Sequence, residues 1–255
     1  MSGHNKVQSR HTERQRDREE QGAMDGQSSL VQEVLDVGLP SSLTSPKESA
    51  IDYIYTACYC EENVYMLCKR LCQLGLAMPD ASDLFVVFIS NSNCKVPLWR
   101  QKSKSSLEEG FCIWDYHVIC IQKNLKGKGS AQVWDLDSTL PFPTSLDQYV
   151  SEALRPWAIW DAKFFRLYRV VAVPMYLQYF ASDRRHMKGE DGDWSAPPPL
   201  YDCIVGEDGA IHNLEEYIRM KDEQVLGDSK EALMQVTNRK FGVLLSEDGL
   251  QHLFA

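Results

Sequence analysis

Cys60, His117 and the pair Asp135 and Asp137 are the residues of this chain whose types and spacing can do chemistry together. Cys60 stands where a helix begins. Backbone N–H groups and the helix dipole at such a start lower a thiol's pKa and favour thiolate. A thiolate nucleophile needs a base, and beyond residue 50 the histidines are His117, His186, His212 and His252. His117 lies in a run, Cys112–Gln122, that reads as one strand. Ile113, Asp115, His117, Ile119 and Ile121 alternate along one side of it, and Cys112, Trp114, Tyr116, Val118 and Cys120 along the other. Both sides are largely apolar, the mark of a central, buried strand, so its Asp and His demand partners. Hairpin register supplies one. Lys123–Ser130 joins this run to Gln132–Asp137, and a pairing centred on Lys126 sets His117 opposite Asp135. A centre shifted by one residue sets it opposite Asp137. Opposed residues share a face with Cβ atoms about 4.5–5.5 Å apart. A carboxylate that orients an imidazole, which in turn activates a thiol, is the logic of a catalytic triad. Pattern alone leaves Asp135 and Asp137 both open.

Each feature has a plainer reading. A buried Cys is usually a small apolar packer, and Asp135 and Asp137 also suit a turn leading to Pro141 and Pro143. Cys58, Cys60, Cys68 and Cys72 offer four thiols to a metal, but Cys68 and Cys72 are four apart on a helix and no paired C-x-x-C knuckle occurs, so no metal is expected. Nothing resembles a phosphate-binding glycine loop.

The elements that must hold these residues follow from periodicity. Cys60, Val64, Leu67, Cys68 and Leu71 share one face of a helix over Cys60–Leu74. Glu61 and Glu62 fall in its first turn, where the dipole favours negative charge, and Lys69 and Arg70 near its end. Strands are predicted at Leu84–Ser90, Lys95–Arg100, Cys112–Gln122, Ala131–Asp137 and Phe165–Val173. Helices are predicted at Leu146–Leu154, Met175–Ser182, Leu214–Met220 and Lys230–Arg239. A helix followed by a run of strands argues α+β with an antiparallel sheet. Residues 183–209, rich in Asp, Gly and Pro, read as a long ordered loop or lid. Residues 1–50 hold none of the chain's Phe, Trp or Tyr. They cannot bury enough apolar surface to offset their ordering entropy, so 1–49 reads as a disordered extension with at most a short helix at Ser29–Val37, and 50–255 as the folded domain.

Composition narrows the partners. The formal net charge of −9 is wrong for neutralising a phosphate backbone, so nucleic acid is not expected. The apolar run Leu84–Ile89 is too short to span a bilayer, so no membrane partner is expected. No apolar stretch near the N-terminus reads as a secretory signal, which points to an intracellular chain with its 8 Cys reduced.

Several short motifs stand in order: Cys58-Tyr59-Cys60-Glu61-Glu62-Asn63, Val87-Phe88-Ile89-Ser90-Asn91, Val96-Pro97-Leu98-Trp99, Trp114-Asp115-Tyr116-His117-Val118 and Asp135-Leu136-Asp137. Pro141-Phe142-Pro143, Ala181-Ser182-Asp183-Arg184-Arg185-His186-Met187 and Pro197-Pro198-Pro199 follow. Over residues 53–220 the chain closely resembles the protein N-terminal glutamine amidohydrolase family. The resemblance implies a papain/transglutaminase-like fold, with a nucleophile helix packed on a largely antiparallel sheet. It implies hydrolysis of the side-chain amide of an N-terminal Gln to Glu and ammonia, feeding the arginylation branch of the N-degron pathway. It implies Cys60 as nucleophile, His117 as base and Asp135, the first Asp of its motif, as the triad acid. It implies no metal or organic cofactor. The expected partners are proteins and peptides with a free N-terminal Gln, and the expected state is a monomer in the cytoplasm and nucleus. A free α-amine calls for an anionic group near the nucleophile. Asp115, two residues before His117 and so on the same face of its strand, is the first candidate, and Glu61 and Glu62 compete. The rival readings are another Cys-His-Asp acyl-transfer enzyme of this fold, such as a cysteine protease or transglutaminase, and a catalytically silent binding module.

Overall fold

The computed structural model describes residues 53–102, 108–124, 129–227 and 229–255. The expected extension, with its helix at Ser29–Val37, lies outside the described residues, as does the middle of the Lys123–Ser130 loop. Met187–Ser195 forms a small unit of its own, a turn closed by a bridge between Lys188 and Trp194 with the ammonium over the indole ring. Tyr53–His186 and Ala196–Ala255 form the main unit.

The main unit is α+β. Helix α1 (Cys60–Gln73) precedes strands β1 (Leu84–Ser90), β2 (Val96–Leu98), β3 (Cys112–Trp114), β4 (His117–Gln122), β5 (Gln132–Trp134) and β6 (Thr144–Ser145). Then come α2 (Leu146–Tyr149), β7 (Leu167–Ala172), α3 (Val173–Tyr179), α4 (Leu214–Ile218), α5 (Ser229–Val236), β8 (Val243–Leu245) and α6 (Glu247–Phe254). Six strands pair antiparallel in the order β6-β5-β4-β1-β7-β8, and β2 and β3 form a separate antiparallel pair.

Every residue of β1 is buried, because the sheet is covered on both faces. On one face Phe85, Val87, Ile119, Ile121, Val133 and Val170 pack under α2, α5 and α6. On the other, Val86, Phe88, Val118, Cys120 and Val171 pack under α1, α3 and α4. α1 lays Val64, Leu67, Cys68 and Leu71 onto this second face, the stripe its periodicity predicts.

β2 and β7 are each shorter at both ends than the sequence predicts, and two further expected strands are interrupted by aspartates. The single strand expected over Cys112–Gln122 is two strands in different sheets, parted at Asp115 and Tyr116. Asp115 Oδ1 accepts from the Tyr116 N–H (3.1 Å), and the Asp115 carbonyl accepts from the Ser90 hydroxyl (3.2 Å). These bonds compete with ladder pairing. Asp115 therefore does not lie on a strand face with His117, and that part of its candidacy fails. β5 ends at Trp134 rather than Asp137 because Asp135 Oδ1 takes the Asp137 N–H (2.9 Å) and starts a turn.

Strands β6 and β8 and helix α6 are absent from the sequence reading. The chain enters β8 through Gly242, at φ +63°, where a Cβ would stand 2.0 Å from the Val170 carbonyl oxygen. Only glycine fits this approach. α6 begins at Ser246, whose hydroxyl accepts from the Gly249 N–H (3.1 Å).

Candidate active site

The register of β4 and β5 sets where the His117 carboxylate partner comes from. Cys120 pairs with Trp134 and Gln122 with Gln132, so continuing the ladder would put Asp137, not Asp135, opposite His117. The ladder stops before that point. The turn after β5 brings Asp135 to the ring instead, and His117 Nε2–H donates to Asp135 Oδ1 at 3.0 Å. Both side chains are almost wholly buried. Asp135 Oδ2 accepts from the Tyr149 hydroxyl (2.8 Å), so three donors converge on one carboxylate. Burial pushes that carboxyl up, but the His117 charge and hydrogen bond, with Tyr149 and the Asp137 N–H behind them, hold it below the ordinary value. Burial pulls His117 down, and the charge and hydrogen bond of Asp135, aided by Asp137, raise it overall. Trp114 stacks on the ring at a centroid distance of 5.2 Å. With Nε2 committed to Asp135, the other nitrogen, Nδ1, is buried and has no hydrogen-bond partner among the described residues.

Asp137 stands beside this pair and takes the Tyr55 hydroxyl on Oδ1 (2.5 Å). Burial raises it above its ordinary value, against the pull of His117 and with a further push from the Asp135 charge. His117, Asp135 and Asp137 bring ligand atoms within 4.8 Å of one another, a grouping a metal ion could use. The imidazole Nε2 and both carboxylates already have partners within the protein.

Cys60 is the first residue of α1. The chain reaches it through Cys58, whose φ of +70° is unusual for a residue with a side chain. Asn63 holds this approach by pairing its amide with both the N–H and the carbonyl of Thr56 (2.8 Å each). The thiol is buried, and its hydrogen-bond acceptor is Glu61 Oε2 at 3.6 Å. Burial pushes the Cys60 thiol well up, and the charges of Glu61, Asp137 and Asp115 push the same way, against a backbone hydrogen bond from Val118. Burial among carboxylates thus works against the helix-start field. That Val118 N–H follows His117 directly in the chain, so the thiol sits at the start of β4.

Glu61 and Glu62 are fully buried, which the sequence reading did not foresee. Their burial depends on one segment, Asp183–His186. Arg184 grips Glu62 through Nε and Nη2 at 3.0–3.2 Å. It also donates to the carbonyls of Pro199 and Tyr201. Glu61 Oε2 accepts the Tyr116 hydroxyl at 3.0 Å, and Oε1 lies 3.3 Å from His186 Nε2. The signal for both pairs was present as a Glu-Glu doublet and a distant Asp-Arg-Arg-His run, but nothing in their spacing announces that they meet. Asp115 is partly exposed in the link between β3 and β4. Of the four thiols considered for a metal, Cys68 turns into the core with its sulfur 3.8 Å from that of Cys120.

A thiol at the mouth of a buried helix start, with an imidazole oriented by a carboxylate at the adjoining strand start, is the equipment of nucleophilic acyl chemistry. Comparison with known proteins makes this particular. The chain belongs to the N-terminal glutamine amidase family, whose profile matches residues 55–254. It is 48% identical over 206 residues to the protein N-terminal glutamine amidohydrolase of Arabidopsis thaliana, covering 80% of this chain and 93% of that one. The rice (Oryza sativa subsp. indica) protein of the same name is 48% identical over 204 residues, covering 80% of this chain and 87% of that one. The Homo sapiens protein of that name is 37% identical over 186 residues, covering 73% of this chain and 87% of that one. Among the described residues no helix is long and apolar enough to cross a membrane.

Proposed function

We propose that this protein is a thiol amidohydrolase that converts the N-terminal Gln of proteins and peptides to Glu with release of ammonia. Membership of the family and the names of its relatives support the reaction. The observation that carries the mechanism is the His117–Asp135 bond, which commits Nε2 and leaves the buried Nδ1 open as an acceptor. Asp135 holds the tautomer in which Nε2 carries the proton.

In the proposed reaction the resting group is the thiol. His117 Nδ1 takes its proton as Cys60 Sγ attacks the side-chain amide carbon of Gln, forming the carbon–sulfur bond. The backbone N–H groups of Cys60 and Glu61 receive the oxyanion. N-cap Tyr59 gives this turn no side-chain cap, so first-turn donors remain for a ligand. His117 then protonates the departing nitrogen, the carbon–nitrogen bond breaks, and ammonia leaves a γ-thioester. Water attacks the thioester as His117 takes its proton. The carbon–sulfur bond breaks, and the proton returns to Cys60. Asp115 is the proposed anchor for the free α-ammonium: it is partly exposed, and its charge reaches the thiol. Glu61, a competing candidate, is shut away beneath Tyr116 and His186.

The helix-and-antiparallel-sheet arrangement supports a papain/transglutaminase-like fold. Feeding of an arginylation-linked degradation pathway, action as a monomer, and residence in the cytoplasm and nucleus belong to the same proposal. Peptides beginning Gln, Asn, acetyl-Gln and pyroglutamate test it by ammonia release. Release from the Gln peptide alone, without backbone cleavage or amine incorporation, is expected. Backbone cleavage or crosslinking to an amine would move the protein to another thiol acyl-transfer class.

A further inference from the structure

The Asp183–His186 segment is a conspicuous motif that the proposed reaction leaves unused. Its two inward side chains meet two adjacent buried acids, but the pairs differ. Arg184 with Glu62 is a closed, multiply hydrogen-bonded pair and includes no atom of the thiol. His186 with Glu61 is open. Glu61 Oε1 lies 3.3 Å from His186 Nε2 without the alignment of a hydrogen bond, while its Oε2 takes both the Tyr116 hydroxyl (3.0 Å) and the Cys60 thiol (3.6 Å). Glu61 is thus a fully buried carboxylate in direct contact with the sulfur, facing a titratable cation on its other oxygen.

We infer that His186 is a positioning residue: as a cation behind Glu61 it offsets the carboxylate beside Cys60 and so sets how readily the thiol gives up its proton. This rests on reading Cys60 as the nucleophile.

The surroundings decide whether His186 can carry that charge. Facing it are Glu61 and Glu62 from α1 and Glu215 from α4, and its ring stacks on His212 at 5.8 Å. His212 is itself held between Asp183 and Glu215 (3.3 and 3.1 Å). Burial pulls His186 down, but the Glu61 contact and the three acidic charges raise it overall. Facing Cys60 are Glu61, Asp137, Asp115, the phenols of Tyr55, Tyr116 and Tyr176, and the Val118 N–H. Three carboxylates thus oppose the thiolate. Glu61 alone of them touches both the sulfur and an imidazole. Below the raised value of His186 the Glu61 charge is offset. Above it the carboxylate stands bare against the sulfur, and thiolate becomes harder to form.

The test reads the thiol rather than turnover. Iodoacetamide labelling of Cys60, followed by peptide mass spectrometry across pH, is compared in the full chain for wild type, His186→Gln, Glu61→Gln and the double variant. His186→Gln should slow labelling about tenfold at pH values below the His186 titration, where the histidine is charged, and leave the labelling midpoint, which lies above it, in place. Glu61→Gln should move the midpoint down, and the double variant should lie with Glu61→Gln, since the histidine acts only through the carboxylate. Superimposed wild-type and His186→Gln profiles in folded proteins would overturn the inference. So would a His186→Gln slowing that persists when Glu61 is neutral. If His186→Gln does not fold, the Glu61→Gln arm decides, and an unmoved midpoint there overturns the inference. Labelling needs no substrate, so failure of the amidohydrolase reading would appear separately, as no ammonia from a Gln peptide.

Discussion

The first turn of α1 and its middle turns are buried alike and filled oppositely. Cys60, Glu61, Glu62 and Asn63 are all buried, and each polar side chain meets specific partners: Cys60 meets Glu61, Glu61 also meets Tyr116 and His186, Glu62 meets Arg184, and Asn63 meets the Thr56 backbone. Val64, Leu67, Cys68 and Leu71 are buried against any apolar surface of the sheet. A buried charge costs several kcal/mol unless it is paired, so a helix that needed only to pack would end its polar face at the surface. The same helix carries two buried thiols, Cys60 and Cys68, and their surroundings separate a reactive group from a packing one. Composition treats the two cysteines as equals; the company they keep does not.

The comparison breaks most sharply at the thiols themselves. Cys60→Ala should lose all Gln-peptide turnover while keeping its melting temperature near wild type, whereas Cys68→Ala should keep turnover and lose about 1 kcal/mol of stability to a small cavity. The reverse pattern in ammonia release and thermal melts would exchange the two roles. Next in size, Asp135→Asn should lower kcat by about 10⁴-fold, because an amide no longer enforces the Nε2–H tautomer. Asp137→Asn should cost far less, since its Tyr55 hydroxyl still finds an acceptor. Equal kinetics for Asp135→Asn and wild type would remove Asp135 from the site.

A third substitution asks whether the polar turn is held as tightly as its bonds imply. Arg184→Met strands a buried Glu62 and should destabilise the fold by about 3–5 kcal/mol in urea unfolding. Pairing Arg184→Met with Glu62→Leu should recover most of that loss; no recovery would mean Arg184 acts through its carbonyl contacts instead. The smallest effect is expected at Cys58. Cys58→Ala should keep most of the turnover, since alanine places the same Cβ on the left-handed backbone at that position, and a dead Cys58→Ala enzyme would challenge the choice between the two neighbouring thiols.

Much of the frame was legible in the sequence because it is periodic. β1 occupies the residues its apolar run marks, and α1 ends one residue short of its expected end. Periodicity could not show the break at Asp115–Tyr116 or the early end of β5, because both arise from an Asp side chain taking a nearby backbone N–H. β6 and β8 are too short to carry an alternation, at two and three residues. At the site, the ladder register would favour Asp137 as the partner of His117, and the hydrogen bond goes to Asp135, because a turn follows where a strand was expected. The parts that Tyr149, Trp114 and His186 play are not legible in the sequence, because a stacking ring, a distant hydroxyl or a distant imidazole leaves no local pattern.

In the proposed reaction Cys60 forms the acyl-enzyme. Acid quench of the protein within one turnover of a Gln-initiated peptide, followed by mass spectrometry, tests it directly. A peptide adduct on Cys60, lighter than the intact peptide by one ammonia, is expected, absent from Cys60→Ala and from reactions with acetyl-Gln peptide. Turnover with ammonia release by the Cys60→Ala protein, or an adduct on any other cysteine, would contradict it.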